Sequence, residues 1–345
     1  MKKLTKIKCL YQRCVIAKKI RRKAKLARKK MRARKKSRTK KTKYWDYTCS
    51  APTEFSLMDE IARMELLRFI KTLSEVSSQP GKRVLVDFSR TENMVADGTL
   101  LFRAHICRIF NNKPESTKVR CKLPQNRKVS QVLKQIGVLE KFGKFQHIQP
   151  DHKDVIHWRY AQGAGALGEK YEEILGHYDG VITEALKERF YVGLTEAMTN
   201  TRQHAYDIET TSWNDNEWWM FSQEKDQILY VVFCDLGMGI PGSLPSTQPG
   251  LWRRIIEKLG GAPLDSAVIE EAVTSSKSRT GKEHRGKGLK QLASVVENTR
   301  NGSMSLCSNC GRYSIKNGKP LKFDYKTSIN GTMISWSLPI RQPIE

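Results

Sequence analysis

The stretch QILYVVFCDLGMGIPG, residues 227–242, gives the clearest local indication of the fold. Its apolar, β-branched run predicts a buried strand that ends at Asp235. Gly237 and Gly239 follow at alternate positions, and glycines there would let a flat ligand lie against bare backbone. The Asp235 carboxylate could accept a hydrogen bond from an exocyclic amine, which favours adenine over guanine. An ordinary strand-to-turn junction also uses Asp and Gly, so this stretch alone leaves both interpretations open.

A second pattern lies upstream, in YVGLTEAMTNTRQHAYD, residues 191–207. Glu196, Asn200 and His204 recur at intervals of four and therefore share one face of a predicted helix. An Asn amide oxygen can complete a magnesium shell made mostly of phosphate oxygens and water. A carboxylate one turn away can orient and deprotonate an attacking water. The competing interpretation is a helix with a solvated polar face.

Two further patterns lie downstream. The segment SSKSRTGKEHRGKGLKQLASVV, residues 275–296, leads through a glycine-rich, basic loop into an apolar-periodic helix. Such a loop can present free backbone N–H groups to an anion, although a flexible basic loop explains the same composition. The segment SINGTMISWSLP, residues 328–339, places Gly331 and Thr332 before a strand near the end of the chain.

In this order, the four patterns resemble the GHKL ATPases, a superfamily that includes gyrase B subunits, MutL proteins, sensor histidine kinases and anti-sigma-factor kinases. The resemblance covers about residues 171–339. It implies an α/β class and a Bergerat-type α/β sandwich, in which one mixed sheet carries helices on one face. It also implies a flexible ATP lid over about residues 274–287.

The resemblance also implies roles for individual residues. Glu196 would be the general base, and Asn200 would be the ligand of Mg²⁺. Asp235 would hold the adenine amine, with support from Thr332 through water. His204 would give structural support only. The remaining expected ATP-binding residues flank the base or the phosphates: Gly237, Gly239, Gly286, Lys287, Gly288 and Leu289.

Residues 44–142 predict a separate small α/β module. Helices are expected at 54–78, 97–110 and 126–139, and strands at 82–89 and 118–124. This alternation favours a largely parallel sheet. The module is similar in pattern to STAS-like domains, in which a phosphorylatable Ser begins the helix after the first long strand. Here Thr99 is the only hydroxyl in the corresponding region, ADGT.

The other predicted boundaries come from composition. Residues 1–43 hold 22 of the 62 Lys and Arg and no Asp or Glu, which predicts a disordered basic tail. Residues 143–170 are polar and Gly-rich and are expected to be a linker. Residues 171–345 would form the ATP-binding domain. The tail could bind nucleic acid or another polyanion, contact an anionic membrane, or serve as a solubilising or targeting extension.

No apolar run approaches the roughly 20 residues that a membrane-spanning helix requires. The eight Cys are scattered, and no signal peptide is evident at the start of the chain. These features favour a reduced, cytoplasmic protein.

Together these features lead us to expect a magnesium-dependent ATPase that switches a protein or nucleic-acid partner, the protein partner acting through the STAS-like module. Two alternatives stay open: a serine/threonine kinase of the anti-sigma type, and a nucleic-acid-binding regulator that uses ATP only as a ligand. None of the seven His is followed by an acidic residue, which argues against a sensor histidine kinase.

Overall fold

The computed structural model describes residues 18–29, 44–144, 148–149, 151–152, 155, 159–164, 184–206, 217–274, 288–296 and 299–340. The chain divides into two compact units, Met1–Asp46 and Tyr47–Glu345. In the first unit, residues 18–29 form helix α1, and every one of these residues is exposed. This part of the predicted disordered tail is therefore helical, because Lys, Arg, Ala and Leu are all good helix formers.

The second unit begins with a small parallel sheet, as the alternating pattern predicted. Strands β1 (Tyr47–Ser50), β3 (Arg83–Asp87) and β5 (Lys118–Lys122) pair in the order β1-β3-β5. Both pairings are parallel. A separate two-stranded parallel pair joins β2 (Glu54–Phe55) to β4 (Asn93–Met94).

Four helices accompany these strands: α2 (Glu60–Ser77), α3 (Ala96–Asn112), α4 (Arg127–Gln135) and α5 (Val138–Lys141). The Asp59 side chain caps α2 by accepting a hydrogen bond from Ala62 N at 2.8 Å. The single helix predicted at 126–139 is divided in two, because Gly137 has a left-handed φ of 67° that an α-helix does not tolerate.

A seven-stranded sheet forms the centre of the unit, with the order β11-β10-β9-β12-β8-β7-β6. Its strands are β6 (Arg159–Ala164), β7 (Glu217–Lys225), β8 (Ile228–Asp235), β9 (Ser303–Ser308), β10 (Gly311–Lys316), β11 (Lys319–Asp324) and β12 (Thr332–Pro339). Every pairing within it is antiparallel. The sheet is thus antiparallel where a mixed sheet was expected, because tight turns join β7 to β8, β9 to β10 and β10 to β11.

Strand β6 lies inside the segment that we predicted to be a linker, 143–170. It pairs with β7 through the register Arg159↔Ser222 to Ala164↔Glu217, so it is an edge strand of the large sheet. The polar and Gly-rich sequence hides this strand, because only Ala161 of its six residues is fully buried. An edge strand with few buried side chains carries little of the alternation by which strands are predicted.

Helices cover both faces of the large sheet. One face packs against helices α6 (Glu184–Asn200), α9 (Asp265–Thr274) and α10 (Gly288–Ser294). The other face packs against α3 of the N-terminal module. Trp218 and Trp219, adjacent in β7, are fully buried on opposite faces. The expectation of helices on one face was incomplete, because the N-terminal module buries the second face.

The remaining described helices connect these layers. A π-helical turn, Thr201–Ala205, extends α6, and α7 (Gly239–Thr247) and α8 (Pro249–Leu259) follow β8. Throughout the described part of the chain, no helix combines the length and the apolar character that crossing a membrane demands.

Candidate functional site

One cleft opens where β8 ends, β12 begins and α6, α7 and α10 meet. Its cavity volume is about 60 Å³, and the empty space with the open mouth included is about 580 Å³. Five predicted site residues line it, from four separate segments of the chain: Asn200, Asp235, Gly239, Leu289 and Thr332.

Asp235 is the last residue of β8 and lies almost fully buried in the wall of the cleft. Its Oδ1 accepts a hydrogen bond from Gly237 N at 2.9 Å. Burial raises the pKa of this carboxyl to about 6, against the opposing effects of hydrogen bonds from Gly237 and Thr332 and of the Arg108 charge. At neutral pH the Asp235 carboxyl is therefore ionised, and it can accept hydrogen bonds at a place that water hardly reaches.

Thr332 stands opposite Asp235 in the register of β8 and β12. Its hydroxyl lies 3.3 Å from Ser308 Oγ. Ser308 Oγ also accepts a hydrogen bond from Ile240 N at 2.8 Å. These hydrogen bonds connect the last residue of β9 and the first residue of β12 to the first turn of α7. They therefore fix three walls of the cleft relative to one another.

Gly237 and Gly239 satisfy two different steric demands. A Cβ on Gly237 would lie 2.2 Å from Ala205 O, so only glycine permits the turn to approach the end of the π-helical segment. Gly239 has a φ of 75°, and a Cβ there would meet the Asn309 side chain at 2.6 Å. Gly239 lines the cleft, whereas Gly237 acts behind it as a packing residue.

The predicted polar face of α6 is only partly directed into the cleft. Asn200 and His204 line it, and Glu196 lies one turn earlier, outside its lining residues. Within the described part of the chain, the buried atoms Asn200 Nδ2 and His204 Nδ1 have no hydrogen-bond partner. Burial lowers the pKa of His204, so its imidazole is neutral at neutral pH. A ligand with polar groups would satisfy these atoms.

Glu196 is half-buried, and desolvation raises the pKa of its carboxyl above the ordinary value. A raised pKa suits a general base, because the group becomes a better proton acceptor. The π-helical turn begins directly after Asn200, with Thr201 Oγ1 donating to Ala197 O at 3.0 Å. The regular spacing of four that we predicted therefore ends at Asn200.

The predicted phosphate side is described in part. Residues 275–287, which include Gly286 and Lys287 and nearly all of the expected lid, lie outside the described residues. Gly288 is the first residue of α10, and Leu289 lines the cleft. Trp336 Nε1 donates to Leu292 O at 3.0 Å, which fixes α10 against the sheet.

The expected magnesium ion was assigned one protein ligand, Asn200. Among the described residues, no group of three or more His, Cys, Asp or Glu side chains could hold a metal ion. Magnesium usually retains waters and takes one or two protein ligands together with substrate phosphates. The half-buried Asn200 amide, whose nitrogen has no hydrogen-bond partner among the described residues, could supply one oxygen ligand to such an ion.

Several residues that shape the cleft were not predicted from the sequence. Tyr206 OH accepts a hydrogen bond from Leu236 N at 3.1 Å and donates one to Glu217 O at 2.9 Å. Asn309 Nδ2 donates to Met238 O at 2.9 Å, across a separation of 71 positions. No local pattern marks such residues, because their partners are distant in the chain. Comparison with protein-family models and with curated proteins finds no match for this chain.

Proposed function

We propose that the cleft binds ATP with Mg²⁺ and that the protein hydrolyses it as a nucleotide-driven regulatory switch. One observation carries the proposal: five residues predicted from four separated motifs line a single cleft. Motifs that matched by chance would have no reason to meet at one place in the fold. This convergence supports the GHKL resemblance, including the finer Bergerat-type description of the α/β sandwich.

At the adenine end, Asp235 would accept a hydrogen bond from the exocyclic amine. The carboxylate is almost fully buried and already oriented by Gly237 N, so it needs no rearrangement to do so. Guanine presents a carbonyl at the corresponding position, and two acceptors facing each other in a dry site are unfavourable. Thr332 would support the contact through a bridging water.

At the phosphate end, Asn200 would hold the Mg²⁺, which would supply positive charge against the phosphates. Gly286, Lys287, Gly288 and Leu289 would close this side, as the resemblance implies. Glu196 would take a proton from the attacking water. Its raised pKa and its position one helical turn from Asn200 support that role.

The switching role rests on the two accessory parts of the chain. The N-terminal module, residues 44–142, would respond to a protein partner, as the STAS-like resemblance implies. The basic tail, residues 1–43, would contact nucleic acid or another polyanion. Within it, α1 presents eight Lys or Arg among twelve exposed residues, which supports attraction to phosphate backbones.

The test is nucleotide binding and turnover by the full chain with γ-labelled ATP, with Mg²⁺ or with excess chelator. We expect saturable ATP binding, tighter than that of GTP, and magnesium-dependent release of labelled phosphate to water. Label transferred to a protein would instead support the serine/threonine kinase alternative. Binding without any turnover, alone or with DNA, RNA or cell extract, would favour the regulator that uses ATP only as a ligand. Absence of saturable binding at millimolar ATP would overturn the proposal.

A further inference from the structure

Arg63 is a charged side chain with unusual surroundings. It belongs to α2 of the N-terminal module and is 1% exposed. Its Nη2 donates to Asn309 O at 3.1 Å, and its Nε and Nη2 both lie 3.2 Å from Thr327 O. The guanidinium also lies 3.9 Å from the centre of the Tyr325 ring. A buried cation is costly unless its donors are paired. These contacts therefore hold in place the turn at Asn309 and the loop at Thr327, both far from Arg63 in the sequence.

Asn309 carries the contact onward to the cleft. It occupies the turn between β9 and β10 with a φ of 52°. Its carbonyl accepts from Arg63, while its side-chain nitrogen donates to Met238 O at 2.9 Å. The same side chain lies against Gly239. Arg63 and the start of α7 are therefore separated by one residue.

Helix α7 is a wall of the cleft. Gly239, Ile240, Ser243, Leu244 and Thr247 all line it. The helix has no side-chain cap of its own, and Met238 is its N-cap residue. Instead, Ser308 Oγ accepts from Ile240 N, and Asn309 binds Met238 O. The position of α7 thus depends on the end of β9 and on the β9–β10 turn that Arg63 holds, together with the hydrogen bond from Met238 N to Ala205 O at 2.7 Å.

We propose that Arg63 is a positioning residue for the adenine end of the cleft. It fixes Asn309, and Asn309 fixes Met238 and Gly239 beside Asp235. The inference rests on the proposed function. It makes the N-terminal module a part of the nucleotide site, since a partner that displaces α2 would change the affinity for ATP at this end.

The contact suits arginine specifically. Its planar guanidinium presents several donors in fixed directions, which allows it to serve Asn309 O and Thr327 O together. Lysine has a single charged nitrogen on a flexible stem and cannot reproduce that geometry. Arg63→Lys therefore keeps the charge and removes the positioning. Asn309→Asp keeps the shape and replaces the donor to Met238 O by an acceptor.

The experiment measures dissociation constants of the full chain, with Mg²⁺, for ATP and for inorganic triphosphate. We expect Arg63→Lys and Asn309→Asp each to weaken ATP binding about fivefold, the effect of one net hydrogen bond. The affinity for triphosphate should not change, because triphosphate lacks adenine and does not contact the adenine end of the cleft. The double variant should bind ATP about as weakly as whichever single variant binds it less tightly. Both changes interrupt the same chain of contacts from Arg63 through Asn309 to Met238.

Two matched controls separate positioning from general damage. Arg103 is also buried in the N-terminal module and donates to Ile136 O at 2.7 Å, away from the cleft. Asn317 has a φ of 51°, in the β10–β11 turn. Arg103→Lys and Asn317→Asp should leave both dissociation constants unchanged, even where unfolding becomes easier.

Equal losses for ATP and triphosphate, or equal losses in the controls, would overturn the positioning role and leave the proposed function intact. A wild-type chain that binds no ATP would overturn both. If Arg63→Lys fails to fold, Asn309→Asp still decides the question, because its side chain lies at the half-exposed turn.

Discussion

Asp235 and Thr332 lie directly opposite each other in the antiparallel pair β8 and β12, at the point where both strands reach the cleft. Hydrogen bonds from Thr332 counteract the burial that raises the Asp235 pKa. The sheet therefore brings together two residues from distant motifs and fixes the acceptor on which nucleotide recognition would depend. Because Asp235 ends β8 and Thr332 begins β12, their pairing brings the two motifs together.

Replacing Asp235 tests the adenine contact. Asp235→Asn presents an amide in place of a buried, charged acceptor, and we expect ATP affinity to fall about 30-fold or more, the loss typical of a hydrogen bond to a charged group. Calorimetric titration with ATP measures this. Asp226, exposed in the β7–β8 turn, offers the matched control Asp226→Asn, which should bind as the wild type does. Equal affinity in both variants would contradict the assignment of Asp235.

Substitution of Glu196 is expected to affect ATP hydrolysis without affecting ATP binding. Glu196→Ala should lower the rate of ATP hydrolysis about 10²-fold or more, as expected on loss of a general base, while ATP affinity is retained. In the wild type, the rate should fall as the pH falls through the pKa of Glu196, which burial holds above its ordinary value, because only the ionised carboxylate accepts a proton. Glu188→Ala, at an exposed position of the same helix, is the control. A wild-type turnover rate in Glu196→Ala would remove the base from the mechanism.

The substitution Gly237→Ala tests the close contact between Gly237 and Ala205 behind the cleft. A Cβ at this position would lie 2.2 Å from Ala205 O and 2.6 Å from Ala205 Cβ. We expect Gly237→Ala to lower the free energy of unfolding by about 1–3 kcal/mol, the usual cost of overpacking, and to weaken ATP binding. In α8, Gly250 has no atom within 4 Å of its Cβ position. Gly250→Ala should therefore leave stability equal or slightly higher, and a similar loss in both variants would contradict the steric argument. Urea denaturation measures both.

The buried carboxyl of Asp97 predicts a pH dependence of stability. Burial raises its pKa from 3.8 to about 6 in the folded protein. Between those values the folded protein holds more protons than the unfolded chain, so this group lowers the free energy of unfolding as the pH rises. Asp97→Asn removes the effect. Relative to the wild type, the variant should therefore gain roughly 2 kcal/mol between pH 4.5 and pH 7.

Asp87 is the control of opposite sign. Burial favours its neutral form, but hydrogen bonds from Ser89 and Lys122 outweigh this and hold its pKa below the ordinary value. Its contribution to stability is therefore present at neutral pH and is lost as the pH falls. Between pH 4.5 and pH 7, Asp87→Asn should therefore show no gain relative to the wild type, because this contribution changes only as the pH falls below the ordinary pKa of 3.8. Urea denaturation at both pH values measures the two variants, and equal shifts in them would contradict the argument.

The basic tail is tested by deleting residues 1–43. The full chain should bind duplex DNA or RNA with an affinity that falls about 10³-fold or more between 50 and 200 mM salt, if six or more phosphates are contacted. The deleted chain should lose this binding and retain the affinity for ATP. Vesicles of anionic lipid serve as the comparison, and binding only to vesicles would redirect the tail to membranes. Unchanged nucleic-acid affinity after deletion would exclude the tail from that role.

Local sequence patterns predicted several of the strands and helices correctly. The apolar run before Asp235 is β8, and the strand predicted near the end of the chain is β12. The parallel pairing of β3 with β5 also followed from the alternation of strands and helices. These predictions succeed because period and turn residues are local properties, decided by the residues themselves.

Other features had no local signal. The strand β6 appeared to be a linker, and the lid expected at 274–287 falls almost entirely outside the described residues. The pairing of β12 with β8 and with β9 joins strands that no tight turn connects. Likewise, the sequence around Trp218 and Trp219 does not decide which part of the chain covers each face of that sheet.

The sequence by itself determined which residues could do chemistry: the carboxylate of Asp235, the amide of Asn200 and the glycines that follow β8. Only the tertiary structure decided that these residues share one cleft and that Arg63 holds its wall through Asn309, 246 positions away. The reason is physical. Chemical character belongs to each side chain, whereas convergence and positioning arise from packing and hydrogen bonds between residues that chain proximity does not connect.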